Sequence, residues 1–162
     1  IFKTGFEKVA VNSYAMENPD FITQLADHYG SQAVIASIDV KKSWLGSYHV
    51  VTNAGKRKTK HTPIEWAQNL EANGAGEILL TSVDREGSWR GFDLELVKSI
   101  TDAVNIPVIA HGGGGTIEHI GKVVNEADAS AVALGSMVVF QKKGMGVLVN
   151  FPDRRELEQV LS

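Results

Sequence analysis

Apolar runs of strand length recur along this chain, and each is followed by a helical pattern. The five runs cover residues 8–12, 33–39, 77–84, 106–111 and 130–134, and they close on Asn12, Asp39, Asp84, His111 and Gly135-Ser136. Helix signals fall between them. Asn18-Pro19-Asp20 leads into a helix whose Phe21, Ile22, Leu25 and Tyr29 keep a 3.6-residue period, and Gly30 ends it. Thr62-Pro63-Ile64-Glu65 supplies an N-cap, a proline at the first helical position and a glutamate two positions later. Asp93 precedes a helix with Leu94, Leu96, Val97 and Ile100 on its inner face, residues 117–127 form another, and Pro152-Asp153 starts the last. Alternation of this kind predicts an α/β fold of parallel strands joined by right-handed crossovers. The C-terminal strand ends of such an array share one face, so the polar closing residues converge on one patch. A doubly wound open sheet also places its site there, but it expects a glycine-rich fingerprint after its first strand, and none is present.

The fourth run, led by Pro107, passes His111 directly into four glycines, Gly112 to Gly115, before a helix start at Thr116. Glycines let the backbone turn tightly and bring N–H groups to an anion, and a helix N-terminus behind them adds partial positive charge. A phosphate cradle and a plain flexible turn both fit these residues taken alone.

Residues 41–61 form an excursion after the second strand. A loop is expected at 41–46 and a small extra strand at 48–52, followed by the polar, strongly basic stretch 53–61. That stretch reads either as a solvated surface loop or as a mobile lid whose cations meet a phosphorylated substrate. Residues 144–151 carry no clear pattern.

The bulk composition narrows the class. A chain of 162 residues with 43% apolar side chains is sized for one folded domain over 1–162. Its net charge of −3 gives no electrostatic case for nucleic acid. No apolar run approaches the roughly 20 residues that span a bilayer, and no secretory leader opens the chain, so a cytoplasmic protein without membrane contact is expected. With no cysteine, disulfides, thiolate nucleophiles and cysteine-ligated metals are excluded.

With these residues assembled, the chain resembles the cyclase subunit family of imidazole glycerol phosphate synthase, a (β/α)8 barrel family. The likeness rests on residues 8–13, 30–34 and 37–42, on the glycine cradle, and above all on residues 74–87, Gly-Ala-Gly-Glu-Ile-Leu-Leu-Thr-Ser-Val-Asp-Arg-Glu-Gly. It implies a barrel that uses ammonia from a glutaminase subunit, docked on the N-terminal barrel face, to form imidazole glycerol phosphate and an aminoimidazole carboxamide ribotide. Of the two aspartates that act as acid and base in the family, Asp39 matches one. By the same likeness, Asn12 and Ser13 belong to one phosphate site of a bisphosphorylated substrate. Gly112, Gly113, Gly135 and Ser136 belong to the other. Thr81, Asp84 and Glu86 would line the centre of the pocket, Glu86 standing where the family has Asp. Lys8 and Glu77, at strand starts, would belong to an ammonia gate on the opposite face. No metal and no cofactor is implied.

The chain departs from the pattern in two respects. Five strands match the fourth to eighth of the barrel, which predicts a truncated barrel piece, with the strand bearing the other aspartate absent and the isolated piece inactive. His111 replaces a residue that is small in the family. The stretches 135–143 and 147–152 look more like a paralogous branch that amidinates surface-polysaccharide sugars. The sister isomerase that shares barrel and phosphate sites lacks the 74–84 block. A non-catalytic module binding a phosphate ligand or the glutaminase is the alternative of another class.

Overall fold

The computed structural model describes residues 2–53, 55–140, 144 and 146–162. Ala54 of the basic stretch and residues 141–143 of the C-terminal stretch lie outside the described residues. The strands are β1 (Val9–Val11), β2 (Val34–Lys42), β3 (Tyr48–Thr52), β4 (Arg57–Lys58), β5 (Glu77–Ser82), β6 (Val108–His111) and β7 (Ala131–Ala133). The helices are α1 (Ser13–Glu17), α2 (Asp20–Tyr29), α3 (Pro63–Ala72), α4 (Leu94–Thr101), α5 (Ile117–Ala127), α6 (Ser136–Val139) and α7 (Arg154–Leu161).

Five strands pair in parallel in the order β1-β2-β5-β6-β7, the expected set in the expected sequence. The sheet is that of a partial (β/α)8 barrel: β1 and β7 each have one parallel neighbour, and helices cover a single face. Burial therefore alternates strictly. Val34, Ala36, Ile38 and Val40 of β2 are buried under the helices, while Ile35, Ser37 and Asp39 are half-exposed on the other face. The apolar run 33–39 predicts a strand buried on both faces, and the structure differs because no opposing strands face it.

The core joins the buried sides of β2, β5 and β6 to helix side chains such as Ile22, Trp66, Leu70, Leu96, Ile100 and Val123. Helix starts follow the sequence signals. Thr62 and Glu65 form a reciprocal capping box on α3, Asp93 accepts the Leu96 N–H, and Asp153 accepts the Arg155 N–H. Each satisfies a donor that the first helical turn leaves unpaired.

Differences fall at the strand ends. β2 runs on through Lys42, so Lys41 and Lys42 are ladder residues and not loop. β5 stops at Ser82, which leaves Asp84 in the following turn. The excursion is a hairpin: β3 pairs antiparallel with β2, and Arg57–Lys58 of the basic stretch pair back on β3 as β4. Val50, Val51 and Thr52 are buried beneath it, which gives the polar segment a reason to be a strand.

Candidate functional site

Register decides which side chains meet. Asp39 lies opposite Thr81, Thr81 opposite His111, and His111 opposite Ala133. In parallel strands aligned residues project to the same side. Asp39, Thr81 and His111 therefore form one row on the half-exposed face, at the C-terminal ends of three neighbouring strands. Asn12 joins them from the end of β1. Its Nδ2 donates to Asp39 Oδ2 at 3.1 Å and reaches Ser37 Oγ at 3.4 Å. A carboxylate held by one amide N–H, half-exposed at a strand end, keeps lone pairs free to take or return a proton.

The row continues to Glu86. Thr81 Oγ1 is 3.1 Å from His111 Nδ1, and His111 Nε2 is 3.4 Å from Glu86 Oε2. One tautomer satisfies both contacts: the Thr81 hydroxyl donates to Nδ1, and Nε2–H faces the Glu86 carboxylate. Glu86 is at the His111 end of that row. It lies with His111, Gly112, Gly113, Gly135 and Ser136 around a cavity of about 10 Å³. That is room for about one water molecule.

Sterics set the shape of this glycine cradle. Gly112 and Gly113 have φ of +91° and +104°, a region that side chains rarely enter. A Cβ at Gly112 would stand 2.5 Å from the Ser82 carbonyl oxygen, and one at Gly113 would strike the carbonyl oxygen of Gly91. Gly91 N–H donates back to the Gly113 carbonyl at 2.8 Å. Close backbone approach therefore demands glycine at both positions.

Asp84 has a structural partner: its Oδ2 accepts the Lys42 backbone N–H at 2.7 Å, tying the end of β2 to the turn after β5. Next to it is a network that sequence reading missed. Lys42 Nζ donates to Glu95 Oε2 at 2.8 Å and to the Tyr48 hydroxyl at 3.0 Å. The Tyr48 hydroxyl in turn donates to Asp93 Oδ1 at 2.9 Å or Glu95 Oε2 at 3.1 Å. Burial, offset in part by Lys42 and reinforced by Asp93, pushes the Tyr48 phenol up to about 12. The Glu95 and Tyr48 hydrogen bonds raise Lys42 above the ordinary lysine range, and Lys42 lowers Glu95. The alternation of Ser37 with Asp39 could have flagged Ser37; nothing in the sequence pairs Tyr48 with Asp93.

At the opposite, N-terminal end of the sheet, Lys8 and Glu77 form an ion pair at the starts of β1 and β5. Glu77 is opposite Ile35, two pairs of β2 residues before the Asp39 level on that face. The two candidate gate residues thus meet each other and lie away from the Asp39 row. Among the described residues, no His, Asp or Glu cluster could hold a metal ion, and no helix is long and apolar enough to cross a membrane.

A polar row across the C-terminal ends of parallel strands, flanked by a glycine cradle, defines a barrel-type α/β site. The chain belongs to the histidine biosynthesis protein family, whose pattern matches residues 1–143. It is 44% identical, over 158 residues, to a Pseudomonas aeruginosa protein provisionally named imidazole glycerol phosphate synthase subunit hisF2. That match takes in 98% of this chain and 63% of the relative. It is 45% identical over 137 residues to the imidazole glycerol phosphate synthase subunit HisF of Alkaliphilus metalliredigens, covering 85% of this chain and 54% of that protein. The HisF subunit of Chlorobaculum tepidum is 44% identical over 140 residues, 86% of this chain and 55% of the relative. The chain thus spans less than two thirds of the length of each.

Proposed function

We propose that this chain is the strand-four to strand-eight portion of an imidazole glycerol phosphate synthase cyclase, in which Asp39 moves protons during ammonia-dependent ring closure. The observation that carries the reading is the row Asn12–Asp39–Thr81–His111 at the strand ends, with Ser13 at one end and the glycine cradle at the other. A substrate phosphorylated at both ends would lie along the row with its reacting atoms near Asp39. Asn12 orients the carboxylate, and imine formation and cyclisation need a group that accepts and returns protons. Ammonia from a glutaminase would enter at the Lys8 and Glu77 end and travel along the half-exposed face of the sheet to reach Asp39.

The test is a chimera in which these residues replace the corresponding part of the C. tepidum HisF subunit, expressed in a histidine auxotroph lacking the cyclase. Growth is expected, and Asp39→Asn should abolish it, roughly 10²–10⁴-fold in turnover. Growth equal in both versions would remove Asp39 from the chemistry. The unaltered 162-residue chain, with five parallel strands, is expected to bind substrate without turning it over. A second reading keeps ammonia but changes its acceptor to a sugar. His111, bulkier than the small residue expected and in contact with Glu86, favours it. A folded chimera that binds ammonia's partner glutaminase yet leaves the auxotroph unable to grow would support the sugar acceptor.

A further inference from the structure

The register of β2 puts the hairpin in a particular place. β1 pairs with β2 only as far as Ala36, whereas β2 continues to Lys42. The edge left free beyond β1 is taken by β3, from Asp39–Val51 to Lys42–Tyr48. The hairpin therefore stands beyond the C-terminal end of β1, over Asn12 and Ser13.

Between hairpin and α1 lies a cavity of about 370 Å³, whose lining includes Ser13, Glu17, Arg57, Lys58, Lys60 and His61. Three formal positive charges face the single carboxylate of Glu17. Among the described residues, none of Arg57, Lys58 and Lys60 forms an ion pair; Lys58 Nζ meets only His49 Nε2, at 3.0 Å. Nor is the segment a loose loop. Thr59 N–H donates to the Val50 carbonyl at 2.9 Å, Tyr48 is bonded to Asp93, and the α3 capping box fixes the chain just beyond His61. Cations anchored around a concave space and lacking carboxylate partners attract an anion that supplies several acceptor oxygens.

We propose that this cavity is a phosphate-monoester site, with the Ser13 hydroxyl as its floor and Arg57, Lys58 and Lys60 as its wall. The proposal rests on the bisphosphate reading above and adds the hairpin to one end of that substrate. It predicts that the hairpin, and not Asn12 and Ser13 alone, supplies the charge that holds this phosphate. Glu17 opposes the anion.

Amide NMR of the 162-residue chain, titrated with inorganic phosphate and then with glycerol 3-phosphate, tests it. Ser13 and residues 57–61 are expected to shift together with one saturation curve. The double variant Arg57→Gln/Lys60→Gln should weaken that curve at least roughly tenfold, the loss expected for charge-assisted contacts. Glu17→Gln should tighten it, and Lys98→Gln on α4, the loss of one positive charge far from the cavity, should leave it unchanged. Shifts confined to the glycine cradle at 112–113 and 135–136 would overturn the hairpin site and leave the function standing. No shift at either end would overturn both. Equal weakening by Lys98→Gln would reduce the effect to net charge and also overturn the site.

Discussion

The two ends of the polar row are built in opposite ways. At the Asn12–Ser13 end there is a cavity of about 370 Å³ walled by side chains of a surface hairpin. At the His111–Ser136 end there is about 10 Å³ enclosed by backbone, with Glu86 on its rim. One end offers side-chain charge around a roomy cavity; the other offers backbone geometry around a small one. The difference teaches that two ends of one row can tolerate mutation unequally. Side-chain cations can be exchanged with little effect on the fold, whereas a backbone cradle is also part of the packing.

Breaking the tight end should have the largest effect. Gly113→Ala puts a side chain at φ +104° against the Gly91 carbonyl. We expect a loss of about 3 kcal/mol, seen in calorimetry as a Tm lower by roughly 6–12 °C. By contrast Lys60→Ala at the open end should change stability by less than about 0.5 kcal/mol. Similar losses in both variants would erase the distinction.

Tyr48→Phe sharpens the comparison by loosening the hairpin without touching its cations. Asp93 or Glu95 loses the phenol donor, and we expect about 1 kcal/mol of destabilisation in urea titration. Phosphate affinity at the hairpin should fall while that at the cradle holds.

The same contact has a pH signature. The folded phenol titrates near 12, above its ordinary value of 10.0, so the fold holds the proton more tightly than the unfolded chain. That contribution is fully present below pH 10 and is lost as pH rises towards 12. Alkaline unfolding of Tyr48→Phe should show a shallower decline across this interval than the parent.

A pH effect of opposite sign is expected at the acid end. Hydrogen bonds from the Thr62 side chain and backbone hold Glu65 below its ordinary value of 4.5. The stability this gives to α3, which follows the hairpin, is present above that value and is lost as pH falls through the lower folded one. Thr62→Ala should cost about 1 kcal/mol near neutrality and should flatten that acid-side loss in a pH series of urea midpoints.

Much of the arrangement was legible beforehand in particular residues. Thr62, Asp93 and Asp153 announce their helix starts through local hydrogen bonds, which need only neighbours in the chain. Asp39 and His111 stand out as polar endings of apolar runs. Glu86 did not reveal its position, because a turn residue can swing towards either the row or the cradle, and packing with His111 set the choice. Nothing local in the sequence pairs the Asp84 carboxylate with the Lys42 N–H, which is 42 residues away. The hairpin was hidden because its basic residues look like any solvated loop until β2 offers them an edge.

By itself the sequence determined the α/β alternation, the strand order, the caps and the glycines that demand close backbone approach. These follow from short-range sterics and hydrogen bonding, which a few consecutive residues encode. Only the tertiary structure decided that Asp39, Thr81 and His111 share a row, and that the surplus length of β2 carries a hairpin over Ser13. Register between strands far apart in sequence depends on how whole layers pack, and no local pattern fixes that.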